Sequence, residues 1–277
     1  MPPPVRLACV VIAHGPAASL DAAIASVRDD EVELVVVHSG GPAPGVPEGV
    51  PLVHSEQLLM PGAARNRGVA ATEAPFVAFL AADCRALPGW AQGRIREHDN
   101  GADAVADVLE SPAAPTPRAA WLMQHRRRTA RTPDAQRLPL GLSYRRELLL
   151  AAGPFDEHIR QGEDSALNSR LLDLGARVAY PTDVRIAHAY PDTARGVLRD
   201  ARARGARRVA AERAIGGAGR PRVLREALHV IGDAPRLERD PRVLALTAVA
   251  AGAYAAGVLG PRPCGSGSSR IPVSSVR

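Results

Sequence analysis

Residues 7–13 form an unbroken apolar run rich in Val and Ile, the pattern of a strand covered on both faces of a parallel sheet. Residues 17–27 read as a helix and residues 33–37 as a second buried strand. Strand, helix and strand in close succession make a βαβ unit, whose handedness and layering predict a doubly wound, mostly parallel sheet. Ligands of such sheets bind beyond the carboxyl ends of the strands. Those ends are Ala13-His14-Gly15 and His38-Ser39-Gly40-Gly41.

A Gly- and Pro-rich loop at residues 41–51 leads to a short strand at 52–54. Pro61-Gly62 then opens a helix, with Pro where its missing N–H costs nothing. Arg65 falls in that first turn, where guanidinium and free backbone N–H groups can share an anion, although an arginine at a helix start is often only solvated. Residues 76–80 predict the next buried strand, ending at Ala81-Ala82-Asp83-Cys84, followed by a helix at 88–98 and a strand at 102–109. Residues 111–118, with three prolines, read as a linker. Residues 121–131 predict a helix that carries Trp121 and the run Arg126, Arg127 and Arg128, by default a solvated charged face.

Leu167, Leu171 and Leu174 recur at helical spacing, so a helix begins near Glu163 and Asp164 shares their inward face. A carboxylate there is favoured by the helix dipole, as a general base requires; equally, Glu163 and Asp164 are the acids that ordinarily cap and charge a first turn. Residues 184–187 predict a strand that ends at His188. Beyond residue 191, Arg195, Arg199 and Arg202 place a basic face on a helix reaching about residue 215, broadened by Arg204, Arg207 and Arg208. A further helix is predicted over 221–231. The uncharged stretch 243–259, rich in Ala and interrupted by Gly252 and Gly257, falls short of a strongly apolar span and reads as a helix packed on protein or lying at a bilayer surface. Basic helices beside a mildly apolar one suit an anionic membrane surface, and suit an arginine-rich soluble appendage as well. Residues 264–277 lack periodicity and read as disordered.

With 277 residues and 46% hydrophobic content the chain buries a full core, and aromatics at 3% argue against base-stacking platforms for single-stranded nucleic acid. The formal charge of +6 fits an anionic ligand or surface, and every basic side chain other than His is Arg. Cys9, Cys84 and Cys264 are too far apart for a disulfide framework or a spaced zinc motif. The first apolar run turns polar too soon for a signal peptide, so the expected setting is cytoplasmic, or peripheral to the inner face of a membrane.

Four segments of the second half are Gly141-Leu142-Ser143-Tyr144-Arg145-Arg146-Glu147, Gly153-Pro154-Phe155-Asp156-Glu157, Gly162-Glu163-Asp164 and Val184-Arg185-Ile186-Ala187-His188. Together they resemble the acceptor half of family 2 glycosyltransferases. Pro61-Gly62-Ala63-Ala64-Arg65-Asn66-Arg67-Gly68, followed by Phe76 to Asp83, resembles the family's nucleotide-sugar half. The resemblance implies an α/β fold of the GT-A type, Rossmann-like and doubly wound, over residues 1–192, with 1–110 as the nucleotide-sugar half and 119–192 as the acceptor half. An Arg-rich helical extension at 193–259 and a tail at 260–277 would follow. It further implies that His14, His38, Arg65, Ala81 and Asp83 lie on the donor side, that Asp83 and His188 hold a divalent Mn or Mg ion, and that Glu163 and Trp121 face the acceptor. Asp164 would be the catalytic base and Asn66 and Gly68 would support packing. Where the family carries acids after the second strand this chain has His38 and Ser39, and Ala81 stands at the first position of Asp-x-Asp. Metal without nucleotide is therefore expected to bind weakly.

The reaction implied is metal-assisted, inverting transfer of a sugar from a nucleoside-diphosphate sugar to an acceptor hydroxyl. The departures at His38, Ser39 and Ala81 leave open a catalytically inactive binding or assembly subunit of the same fold. Charge alone motivates a third class, nucleic-acid binding through the Arg-rich helices, which predicts affinity falling steeply with salt.

Overall fold

A computed structural model describes residues 5–16, 18–29, 31–125, 142–159, 162–214 and 219–260. The expectations for Arg126, Arg127 and Arg128 and for the tail from residue 261 on lie outside the described residues. The chain divides into two compact units, Met1–Ala113 with His125–Tyr190, and Ala114–Gln124 with Pro191–Arg277.

In the first unit the strands are β1 (Leu7–His14), β2 (Val32–Ser39), β3 (Leu52–Ser55), β4 (Phe76–Ala81), β5 (Cys84–Ala86), β6 (Ala104–Val105), β7 (Val108–Leu109), β8 (Ser143–Arg145), β9 (Val178–Ala179) and β10 (Arg185–His188). The helices are α1 (Leu20–Val27), α2 (Pro61–Ala70), α3 (Trp90–Asp99), α5 (Arg146–Ala151) and α6 (Glu163–Asp173), while α4 (Pro115–His125) lies almost wholly in the second unit. Seven strands form one sheet in the order β3-β2-β1-β4-β8-β6-β9, parallel except that β8 runs against both neighbours. A small sheet β5-β10-β7 stands beside it in the topology.

The unbroken apolar run of β1 has the expected cause. Leu7, Cys9, Val11 and Ala13 enter one core with α1 and α3, while Ala8 and Val10 enter another with α2, α5 and α6. Successive strand side chains point to opposite faces, so only a strand covered on both sides can be apolar throughout. At about 1.5–3 kcal/mol for each fully buried Leu or Val, such strands contribute heavily to the fold. Tight contacts hold α2 in place. A Cβ on Gly68 would collide with the side chain of Val10, and one on Gly62 with the carbonyl of Asp156. Asn66 Nδ2 donates to Phe155 O (2.9 Å) and Glu157 Oε1 (2.8 Å), and Phe155 N donates back to Asn66 Oδ1 (2.9 Å).

Three sequence expectations change. The strand expected over 102–109 is two short strands in different sheets, β6 beside β8 and β7 beside β10. Leu174 is not on the inward face: α6 ends at Asp173, so Leu174 is its C-terminal cap and 53% exposed, while Leu167 and Leu171 are buried. The residues read as a linker at 111–118 begin α4, because Pro115 and Pro117 occupy the first turn, where no N–H is needed.

Residues 114–124 also group with the second unit rather than with the expected acceptor half. There Arg118 Nη1 donates to Glu238 Oε2 (3.4 Å), Gln124 Nε2 to Asp200 Oδ2 (3.0 Å), and Met123 packs on Ala227, Val230 and Ala251. The unit's other helices are α7 (Ala194–Ala214), α8 (Arg220–Leu237) and α9 (Pro241–Leu259). A Cβ on Gly205 would meet the Tyr254 carbonyl and one on Gly257 the Arg202 carbonyl, so α7 and α9 cross backbone to backbone through two glycines. Because Pro241 and Arg242 already belong to α9, capped by Asp240 Oδ1 accepting from Arg242 N (2.8 Å), the helix has 19 residues. By length and composition it is long and apolar enough to cross a membrane, which corrects the shorter stretch read from sequence.

Candidate functional site

β4 ends at Ala81, and the chain turns through Ala82 and Asp83 into β5, which pairs antiparallel with β10 so that Cys84 stands opposite His188. Ala82 N donates to Ile12 O (2.9 Å) and Ala189 N to Asp83 O (2.8 Å), fixing both sides of the turn through backbone bonds. His188 Nε2 lies 3.4 Å from Asp83 Oδ2, and Cys84 Sγ donates to Asp83 Oδ1 at 3.6 Å. Burial works to raise the Asp83 carboxyl, but hydrogen bonding and charge from His188 outweigh it and hold the group below the ordinary carboxylate range. Burial pushes the Cys84 thiol up, with the Asp83 charge acting in the same direction.

The ligand atoms of Asp83, Cys84 and His188 all lie within 4.8 Å of one another. His188 Nδ1 is buried with no hydrogen-bond partner among the described residues, while the ring lies against Tyr190 (centroids 4.5 Å) and His125 (5.9 Å). A carboxylate oxygen and an imidazole nitrogen meet at the exposed Asp83 with the Cys84 sulfur beside them, and the carboxylate–imidazole pair fits a divalent ion such as Mn2+.

A second cluster carries the acids of α6. Gly162, at φ +100°, turns the chain into the helix, a conformation open to glycine and rarely to other residues. Glu163 and Asp164 then occupy the first turn, and both are buried. Glu163 accepts from Arg65 Nη1 of α2 in an ion pair spanning the two halves of the sequence. The Arg65 guanidinium lies over the rings of Phe79 (5.8 Å) and Phe155 (5.4 Å), so it is neither a solvated helix-start arginine nor an unpaired charge. Phe79, Tyr144 and Phe155 pack edge to face beneath it, and Tyr144 donates its hydroxyl to Asn168 Oδ1 (2.9 Å) on α6. Burial keeps that phenol protonated well above its usual range. Phe79 sits on β4 two residues before Ala81, so both clusters hang from the carboxyl end of one strand.

The other donor-side positions are placed as follows. His14 is exposed at the end of β1, and Ala81 is exposed at the end of β4. His38 is buried: its Nε2 meets Gly15 O at 2.9 Å and its Nδ1 meets His54 Nδ1 at 3.2 Å, with the two rings stacked. A carbonyl only accepts, so Nε2 carries a proton, and both nitrogens of His38 are engaged inside the fold. Trp121 is buried on α4, in the other compact unit. Sequence reasoning missed Cys84 as a member of the first cluster and the Arg65–Glu163 pair of the second. Neither has a spacing signal, since both arise from strand pairing and helix packing between distant segments.

The model of glycosyl transferase family 2 matches residues 8–149. Among curated proteins, the pre-mycofactocin glycosyltransferase of Mycobacterium tuberculosis is 27% identical over 197 residues, covering 65% of this chain and 42% of that protein. The chain thus spans less than half the length of that relative. Among solved structures, the mannosyltransferase PcManGT from Pyrobaculum calidifontis, in complex with GDP-Man and Mn2+, aligns with a TM-score of 0.54 at 16% identity, over 92% of this chain and 87% of that one. S. aureus TarS 1-349 in complex with UDP-GlcNAc aligns at 0.50 and 17% identity, over 71% and 65%. At these identities the likeness to the solved structures is one of fold.

Proposed function

The chain belongs to glycosyl transferase family 2 and has the GT-A fold, and on that premise we propose that it transfers a sugar from a nucleoside-diphosphate sugar to an acceptor hydroxyl with inversion. The observation that carries the reading is the carboxylate–imidazole pair of Asp83 and His188 just beyond the carboxyl end of β4, where open α/β sheets take their ligands. A divalent ion held by Asp83 and His188 would supply neutralising charge for the departing diphosphate. The solved relatives bind GDP-Man and UDP-GlcNAc, which supports a nucleotide sugar as donor and leaves its base and sugar to experiment.

The chain's own residues do the rest. Asp164, in the first turn of α6, accepts the proton of the acceptor hydroxyl while the oxygen attacks the anomeric carbon from the face opposite the diphosphate. The bond to the diphosphate breaks as the new glycosidic bond forms, so the configuration inverts without a covalent enzyme intermediate. Arg65, paired with Glu163 and resting on Phe79 and Phe155, orients the start of α6 against β4. Replacing Asp164 by Asn keeps the shape and removes the base. Asp164→Asn is expected to lower turnover by about 100-fold or more, with calorimetric affinity for the donor nucleotide unchanged. Near wild-type turnover in that variant would exclude Asp164 as the base.

A second reading, a catalytically inactive binding or assembly subunit of the same fold, is favoured by His38, whose bonds to Gly15 and His54 take up a position where the family carries an acid. It predicts weak or no binding of nucleotides and no transfer to any hydroxyl acceptor.

An anionic bilayer surface is the proposed macromolecular partner. On α8, Leu228, Ile231 and Pro235 line one exposed strip, with Leu228 66% and Ile231 47% exposed. Exposed Arg222, Arg225, His229 and Arg236 line the strip beside it. An apolar strip flanked by guanidinium groups complements the acyl chains and negative headgroups of such a surface.

A further inference from the structure

We propose that Cys84 is the third protein ligand of the Asp83–His188 centre, and that its sulfur makes the centre select a thiophilic divalent cation such as Zn2+ or Co2+ over Mg2+. The proposal rests on the reading of Asp83 and His188 as metal ligands. What it adds is a donor from this chain's own sequence, with a change of metal preference as its consequence.

The case begins with register. Cys84 and His188 are direct partners across the antiparallel pair β5–β10, and directly opposed residues carry their side chains on the same face about 4.5–5.5 Å apart at Cβ. Such a pair chelates without loop movement, because the backbone of both strands already sets the separation. Asp83 immediately precedes Cys84, and its carboxylate lies within reach of both other donors, at 3.4 Å from His188 Nε2 and 3.6 Å from the Cys84 sulfur. The Asp83 side chain is 54% exposed, which opens a path for the ion.

Chemistry then distinguishes this trio from a core cysteine that happens to lie beside an acid. Cys84 does pack in the apolar core with Trp90 and Ile186, but its sulfur faces the carboxylate at the edge of that core. The Asp83 carboxylate, the Cys84 sulfur and a His188 ring nitrogen lie within 4.8 Å of one another, close enough for three donors of different chemistry to share one cation. One cation satisfies the charge of the carboxylate and the donor capacity of sulfur and ring together, and the thiol proton leaves to solvent as the metal–sulfur bond forms. Mg2+ prefers oxygen ligands and keeps its waters, whereas thiolate and imidazole suit Zn2+ and Co2+. A three-donor site of this kind also leaves a coordination position open, as catalytic zinc sites do.

The test is Co2+ titration of the intact chain without nucleotide, read by absorption and repeated with Zn2+ and Mg2+ as competitors. The wild-type protein is expected to show the intense near-ultraviolet thiolate-to-cobalt band, which Zn2+ abolishes and Mg2+ does not. Cys84→Ser is expected to lose the band and to bind Zn2+ at least about tenfold more weakly, while a Cys9→Ser, Cys264→Ser variant keeps it. The wild-type spectrum tests the proposal whether or not Cys84→Ser folds, and Cys84→Ala provides a second variant. No band in the wild type, or a band that survives in Cys84→Ser, overturns the assignment of Cys84. If Asp83→Asn and His188→Asn lose Mn2+ or Co2+ binding while Cys84→Ser binds both metals as the wild type does, the two-ligand centre stands and the third ligand falls. If the wild type binds none of these ions, with or without nucleotide, both fall.

Discussion

His98 ties the stability of the first unit to pH. Its Nδ1 meets the Ala102 carbonyl at 2.9 Å and its Nε2 meets Ser143 Oγ at 2.8 Å, with the ring stacked on Phe76. Since the carbonyl requires a donor, Nδ1 carries the proton and Nε2 accepts from the Ser143 hydroxyl, leaving no place for a second proton. Burial is the chief cause that lowers its pKa from 6.5 to about 4. In that window the unfolded chain binds a proton that the folded chain does not, so this contribution is complete above pH 6.5 and is lost as pH falls toward 4. The loss amounts to up to about 3 kcal/mol. Melting temperature measured across the window should fall with acid in the wild type and fall less in His98→Gln; equal slopes would exclude His98 as the cause. At the same scale, His38 shows why a histidine at a strand end is hard to read from sequence. Its two bonds go to Gly15 and His54, residues of other strand ends that only the β1-β2-β3 pairing brings near.

Among the elements, α2 depends on Gly68 as much as on its apolar residues. The glycine lets the helix backbone rest on Val10 of β1, and a methyl group there has no room. Gly68→Ala is therefore expected to destabilise the protein by about 1–3 kcal/mol, lowering its melting temperature by several degrees, despite the better helix propensity of Ala. Gly45→Ala, where the added methyl meets nothing within 4 Å, is the comparison and should leave the melting temperature nearly unchanged. The elements read correctly from sequence were the long apolar strands β1, β2 and β4, whose burial on both faces leaves an unmistakable run. β5, β8 and β9, of two or three residues each, carry no such signal, because so few positions cannot establish a period. Yet β5 and its partner β10 bring Cys84 and His188 together beside Asp83.

At the scale of the whole molecule, the surface of α8 makes its own prediction. Each Arg near an anionic bilayer contributes about 1 kcal/mol, so Arg225→Gln with Arg236→Gln should weaken binding to phosphatidylglycerol vesicles by about thirtyfold. Sedimentation with anionic and with neutral vesicles reads the effect, and Leu228→Glu should weaken binding through the apolar strip. Equal affinity for both kinds of vesicle, or none for either, would remove the membrane surface as a partner. The sequence alone determined the doubly wound α/β fold, the helical extension and the order of the chemical segments, because hydrophobic period and local motifs are properties of neighbouring residues. It read Asp164 in the first turn of a helix and His188 at the end of a strand for the same reason, and the structure has them there. What only the tertiary structure decided was company: His188 with Cys84 and Asp83, Arg65 with Glu163, and residues 114–124 with the C-terminal helices. Those associations arise from strand register and helix packing between segments far apart in the chain, and no local spacing records them.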